Sequence, residues 1–221
     1  MKQFFVSLVT TVILLAILLI SAGRFDYWQA WAYAVISTIM NLCMRFILRN
    51  APDVAKERTK SGEGAKGWDK ALLIAGFLLT IITLVVAGLD SGRSRSWPQL
   101  SWRWFFIGVA LTTTGSALFL TSLKENRFFS SVVRIQTDRG HTVCRTGPYS
   151  IIRHPGYAGM IIGTIGLPLL FMSFWSSIPA LLSIVLLIVR TCLEDIALAK
   201  ELLGYSDYRK TTRFRLIPGL W

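Results

Sequence analysis

FFVSLVTTVILLAILLISA, residues 4–22, carries no ionisable side chain. A run of roughly 20 mostly apolar residues is what an α-helix needs to cross a bilayer. Lys2 before it and Ser21-Ala22-Gly23 after it resemble the flanks of a secretory leader. The apolar stretch, however, exceeds the roughly 7–15 residues of a leader's core, so a retained helix is predicted.

The rest of the chain follows the same pattern. Of 221 residues, 53% are hydrophobic and only 16% charged, and mean hydropathy is +0.52, which lies outside the soluble globular norm. Apolar residues come in blocks at 28–48, 70–89, 104–122 and 178–193, each suited to a spanning helix. A sixth block, GYAGMIIGTIGLPLLFM at 156–172, contains three glycines besides Gly156 and also Pro168. As a helix it would be only about 25 Å long, predicting a kinked, tilted or partly inserted segment. The expected fold is an all-α integral membrane protein of five to six transmembrane helices, forming one integrated domain. Residues 1–122 supply the N-terminal helices, and 123–221 a polar connector, a helical hairpin and an amphipathic tail.

Charge predicts orientation. Six Lys/Arg fall within 49–70, six within 123–154 and six from 190 onward, whereas the intervening loops hold Arg24 and then Arg93, Arg95 and Arg103. Under the positive-inside rule this puts both termini and the three basic regions in the cytoplasm. The net charge of +12 is thus first a topology signal, with attraction to anionic membrane lipids as a second role. Because the charges are divided among loops without a nucleic-acid motif, no nucleic-acid partner is expected. Trp28, Trp31, Trp68, Trp97, Trp102, Trp104 and Trp175 all lie near predicted segment ends, where indoles favour the headgroup layer. Cys43, Cys144 and Cys192 are too scattered for a disulfide framework. His141 and Cys144 are spaced to chelate, but the only other histidine is His154, so no metal is expected.

The remaining polar stretches are where chemistry can reside. Residues 50–69 read as a solvated connector, although Glu57, Arg58 and Trp68 are positioned to close over a site. Residues 90–101 read as a turn. Residues 124–154 suggest an extended or hairpin-like excursion turning at Asp138-Arg139-Gly140 and Gly147-Pro148. That excursion leads into GPYSIIRHPGYAG at 147–159. Pro155 suits the first position of a helix, which makes His154 the N-cap. Free N–H groups at Gly156 and Tyr157, beside Arg153 and His154, would form an anion site for a carboxylate or phosphate. A basic residue on lipid phosphate and a histidine cap explain the same residues.

Glu194 and Asp195 stand at the end of the last apolar block, where ionisable groups are costly unless paired or functional. On a continuous helix, Glu194, Leu198, Glu201 and Tyr205 would share one stripe. An Arg190–Glu194 pair one turn apart is the competing structural reading. An anion site and an acidic stripe together suit a cofactor with a carboxylate, an ammonium and a cationic centre, as in S-adenosylmethionine.

RGHTV at 139–143, GPYSIIRHPGYAG at 147–159, LED with Leu198, GYSDY at 204–208 and RFRLIPG at 213–219 resemble the isoprenylcysteine carboxyl methyltransferases and related membrane phospholipid methyltransferases. The resemblance implies S-adenosylmethionine-dependent methyl transfer to a lipophilic acceptor in the membrane, first of all carboxyl O-methylation of an isoprenylcysteine-like compound. N-methylation of an aminophospholipid is the alternative, and an NADPH-dependent sterol-type reductase a more distant one. It further implies a cofactor pocket built from the connector, with His141 and Tyr149; from the next helix start, with Arg153, His154, Pro155, Tyr157 and Gly159; and from Glu194 and Asp195. Glu194, Arg213 and Arg215 would serve the reaction, one of the arginines holding an acidic acceptor. The family usually has a glutamate where this chain has Asp195, so that contact would differ.

Overall fold

The computed structural model describes residues 2–60, 62, 64–94 and 101–221, with side chains described from residue 5 onward. Arg95 and Trp97 lie outside the described residues. Among the described residues, eight α-helices follow one another: α1 (Lys2–Ala22), α2 (Trp28–Arg49), α3 (Pro52–Thr59), α4 (Gly67–Ala87), α5 (Trp102–Glu125), α6 (Pro155–Leu170), α7 (Ser177–Glu201) and α8 (Tyr205–Thr211). No strand occurs among the described residues.

Among the described residues, four stretches are long and apolar enough to cross a bilayer: Phe5–Ala22, Trp28–Arg49, Gly67–Ser94 and Trp102–Glu125. α6 is a shorter apolar helix. At 16 residues it would reach about 24 Å, short of a typical hydrocarbon core of about 30 Å. α7 begins with the apolar run expected at 178–193 and continues into Glu194, Asp195, Lys200 and Glu201. Phe5, Val9, Val12, Val35, Ile39, Phe77 and Leu181 are all more than half exposed, as expected of helix faces solvated by lipid. The chain is an all-α, multi-pass membrane protein.

Two expected loops are more ordered than their composition suggested. The connector at 50–69 contains α3, started by Pro52 at the first position. Of the turn expected at 90–101, residues 90–94 belong to a π-helical continuation of α4, Gly88–Ser94, and residues 95–100 lie outside the described residues. Gly88 allows the continuation by lying against α1: a Cβ there would stand 2.7 Å from that of Ser21 and 2.8 Å from the Leu18 carbonyl. The expected hairpin at 124–154 does not form. The segment is irregular, with 3-10 turns at Thr137–Arg139 and Gly147–Ser150, and distant side chains hold its backbone at Ser131, Val133 and Tyr149.

Helices α5 and α6 make the closest backbone approach. A Cβ on Gly115 would collide with the Gly159 carbonyl oxygen and stand 2.5 Å from the Gly163 nitrogen. One on Gly166 would stand 2.5 Å from Thr112 Oγ1, and one on Gly108 would strike the Leu170 backbone. In lipid, where apolar surface gains nothing from leaving water, such small-residue contact is a principal source of helix association.

Polar clusters separate to the two ends of the bundle. At one end Asp90 Oδ2 accepts from Ser173 Oγ (2.7 Å) and Ser91 Oγ donates to the Phe171 carbonyl (2.7 Å). At the other end the three basic regions meet. Lys66 pairs with Glu201 (2.6 Å), Arg134 with Glu57 (2.5 Å), Arg190 with Asp69 (2.6 Å) and Arg153 with Asp195 (2.8 Å).

Candidate functional site

A cavity of about 270 Å³ opens within the basic end. The connector forms one wall through Phe128, Phe129 and His141, α6 another through Gly156, Tyr157 and Met160, and α7 a third through Arg190, Glu194 and Leu198. Arg58 of α3 and Leu73 of α4 also line it, so the chain upstream of residue 122 contributes to the site.

The start of α6 is organised by the tail. The N–H groups of Arg153 and His154 donate to the carbonyls of Phe214 (2.9 Å) and Arg215 (3.0 Å), a two-residue ladder tying the RHP turn to the chain terminus. The Arg153 side chain completes the clasp. Nε and Nη2 hold the two oxygens of Asp195 at 2.8 and 3.1 Å, while Nη1 donates to the carbonyls of Thr212 and Arg213 at 2.9 and 2.6 Å. A guanidinium offers five N–H groups in a rigid fork, and here the fork bridges one carboxylate and two carbonyls.

Asp195 has no exposed side-chain surface. Besides Arg153 it accepts from Arg215 Nε (3.0 Å) and the Tyr205 hydroxyl (2.8 Å), and it lies 3.2 Å from His154 Nε2. Burial and the Asp195 charge raise the Tyr205 pKa above the ordinary phenol value, keeping this hydroxyl a donor.

Glu194, the adjacent residue, points elsewhere. It lines the cavity, accepts from the Tyr157 hydroxyl at 2.5 Å, and makes no salt bridge among the described residues. The pairing considered for Arg190 and Glu194 is not formed. Arg190 instead reaches Asp69, at 2.6 and 3.2 Å, and the Ser131 carbonyl at 3.0 Å, while its guanidinium sits 5.3 Å from the Tyr157 ring centre. Asp69, fully buried, also accepts from the Val133 N–H at 2.7 Å. It thereby fixes α4, α7 and the connector to one another.

The stripe drawn from Glu194 to Tyr205 is interrupted, because α7 ends at Glu201 and Gly204 turns the chain at φ +81°. Tyr205 therefore returns to Asp195, and Glu201 leaves to pair with Lys66.

His141 stacks on Phe128, with ring centres 4.6 Å apart, and Nδ1 accepts from the Gln136 N–H at 3.3 Å. Burial, with Arg139 and Arg134 nearby, lowers its pKa to about 4, so the ring is neutral at physiological pH. Tyr149 is buried, and burial raises its phenol pKa. The Cys144 sulfur faces the Glu125 carbonyl at 3.8 Å.

Of the residues singled out from sequence, His141, Tyr149, Arg153, His154, Tyr157 and Glu194 line one cavity. Pro155, Gly159, Asp195, Arg213 and Arg215 do not. Pro155 is buried in the first turn of α6 and Gly159 is pressed against α5. Arg213 and Arg215 border a separate groove on the tail, where Arg215 is held by Asp195 and stands 5.1 Å from the Trp221 ring centre. Asp69 was absent from the sequence reading. Its only signal was an acid in the first turn of an apolar helix, within a strongly basic region.

Residues 108–200 match the model of the isoprenylcysteine carboxyl methyltransferase (ICMT) family. A probable protein-S-isoprenylcysteine O-methyltransferase of Oryza sativa subsp. indica is 32% identical over 72 residues, covering 31% of this chain and 38% of the relative. Protein-S-isoprenylcysteine O-methyltransferase B of Arabidopsis thaliana is 29% identical over 72 residues, covering 31% and 36%. The cobalt-zinc-cadmium resistance protein CzcN of Cupriavidus metallidurans is 29% identical over 147 residues, covering 62% and 60%. In each case the match spans less than two thirds of the relative's length.

Proposed function

We propose, from the match of residues 108–200 to the isoprenylcysteine carboxyl methyltransferase family, that this chain transfers a methyl group from S-adenosylmethionine to the carboxylate of a prenylated cysteine-like acceptor. The observation that carries the proposal is Glu194. It is the one carboxylate lining the cavity, lacks a cationic partner among the described residues, and is oriented by the Tyr157 hydroxyl at 2.5 Å.

The residues present suit such a cofactor. An acid answers its positive charges, and Phe128, Phe129 and Tyr149 give the aromatic walls that a nucleobase stacks on. Gly156 keeps room where a Cβ would stand 2.9 Å from the Phe129 ring. When bound, the sulfonium supplies a methyl group already activated for transfer. The protein's task is then positioning, since an acceptor carboxylate is a nucleophile at neutral pH.

Glu194 and Tyr157 hold the cationic part of the cofactor, while Tyr149, His141 and His154 shape the walls. The clasp of Arg153 and Asp195 keeps the tail closed over the α6 start and excludes water. Arg213 and Arg215 act on the tail side of that clasp. The acceptor enters from the bilayer beside Leu73 and Met160, which line the cavity from α4 and α6, Met160 being 38% exposed. The three basic regions, both termini and the cofactor entrance face the cytoplasm, by the charge asymmetry of the loops.

The test supplies purified protein in lipid nanodiscs with methyl-labelled S-adenosylmethionine and a farnesylated N-acetylcysteine. Label released by mild base is expected, as an ester requires, and Glu194→Gln should weaken S-adenosylhomocysteine binding by about 10-fold or more. Base-stable label on an aminophospholipid would replace the acceptor in this reading. Binding of NADPH without S-adenosylhomocysteine would overturn it.

A further inference from the structure

Two charged side chains lining the cavity, Glu194 and Arg58, make no salt bridge among the described residues. Arg134 is matched by Glu57 and Asp138, Arg153 by Asp195, and Arg190 by Asp69. Arg58, which lines the same cavity from α3, has no such partner among the described residues. Its Nε is buried with no hydrogen-bond acceptor among the described residues, and its guanidinium carbon lies 5.7 Å from the Phe129 ring centre. Burial lowers the Arg58 pKa. An aromatic face returns only part of what a guanidinium loses when its N–H groups leave water. A half-buried guanidinium with a sealed, unsatisfied Nε is a destabilising feature, and such features are kept at sites where a ligand completes them.

The surroundings specify the missing group. Phe129, on which Arg58 rests, also packs at Gly156 in the first turn of α6, while Phe119 stands edge-on to it at 5.3 Å. Arg58 and the positive end of α6 therefore flank one aromatic ring. Both favour an anion, and the planar fork of a guanidinium matches a carboxylate in particular.

We infer that Arg58 is a carboxylate receptor of the cavity, contributed by a helix outside the matched segment 108–200, and that a carboxylate of the ligand pairs with it as the ligand's cationic part pairs with Glu194. The inference rests on the methyl-transfer reading for the identity of the ligands. The carboxylate has two sources in that reading, the acceptor and the amino-acid moiety of the cofactor.

The experiment compares full-length wild type, Arg58→Met and Arg58→Lys in nanodiscs. Each is titrated with S-adenosylhomocysteine, with its decarboxylated analogue, with a farnesylated N-acetylcysteine and with the corresponding carboxamide. If the carboxylate is the acceptor's, Arg58→Met lowers the acid-to-amide affinity ratio by about 10- to 100-fold and leaves S-adenosylhomocysteine binding unchanged. If it is the cofactor's, the same loss appears for S-adenosylhomocysteine against its decarboxylated analogue. Arg58→Lys, keeping charge without the fork, falls between wild type and Arg58→Met.

The ligand-free Arg58→Met protein should melt at or above the wild-type temperature. A lower melting temperature, or affinities within about 2-fold of wild type for every probe, overturns the inference while the methyl-transfer reading stands. Failure of the wild type to bind any of the probes overturns both.

Discussion

Asp195→Asn is the substitution whose consequence the structure defines most fully. The change preserves side-chain shape but removes the negative charge from a carboxylate with no exposed surface, held by Arg153 at 2.8 Å and Arg215 at 3.0 Å. Arg153 is itself 5% exposed and would remain buried without a countercharge. Breaking a buried pair by removing one partner costs about 3–5 kcal/mol. For a chain of this size about 2–4 °C accompanies each kcal/mol, so the thermal midpoint in detergent should drop by roughly 6–20 °C. Because Arg153 also holds the Thr212 and Arg213 carbonyls, the tail should loosen first. Trypsin should then cut at Arg209, Lys210, Arg213 and Arg215 before the helices unfold. Asp207, whose pairing with Lys210 is exposed on both sides, serves as the control, and Asp207→Asn should leave the midpoint unmoved. An Asp195→Asn protein that melts with wild type and keeps a resistant tail would refute the clasp.

Two further outcomes are expected. His141 has a folded pKa of about 4 against an ordinary 6.5, so between those pH values the unfolded chain takes up a proton that the native state refuses. Stability should therefore fall as pH drops from 6.5 toward 4, and His141→Gln should flatten that part of a denaturation profile. Gly115→Val should destabilise by at least about 1–3 kcal/mol through overpacking against α6, whereas Gly76→Ala, with nothing within 4 Å of its new Cβ, should be neutral in the same melting assay.

The long apolar runs were legible because hydropathy and length are local properties. Phe5–Ala22, Trp28–Arg49 and Trp102–Glu125 needed no knowledge of their neighbours. The start of α6 was legible for a similar reason, since proline fixes a helix's first turn wherever it occurs. The connector at 124–154 was not. Its conformation is set by the Val133 N–H on Asp69 and by Arg134 on Glu57, partners 64 and 77 residues away, and no local propensity encodes such distances. The reading of Arg190 with Glu194 failed similarly. One-turn spacing made the pair available, but Asp69 offered a buried carboxylate already held by another donor.

Sequence alone thus determined that the chain lives in a membrane, where its long apolar helices run, and which thirteen-residue motif joins a polar connector to an apolar helix. The tertiary structure decided how the two adjacent acids divide their roles. Asp195 is sealed among arginines as a structural clasp, and Glu194, one residue earlier and about 100° around the helix, is left to face the cavity. Adjacent residues carry nearly the same sequence signal, but a helix sends their side chains in different directions, and only the packing of α6, α7 and the tail determines which one lines the cavity.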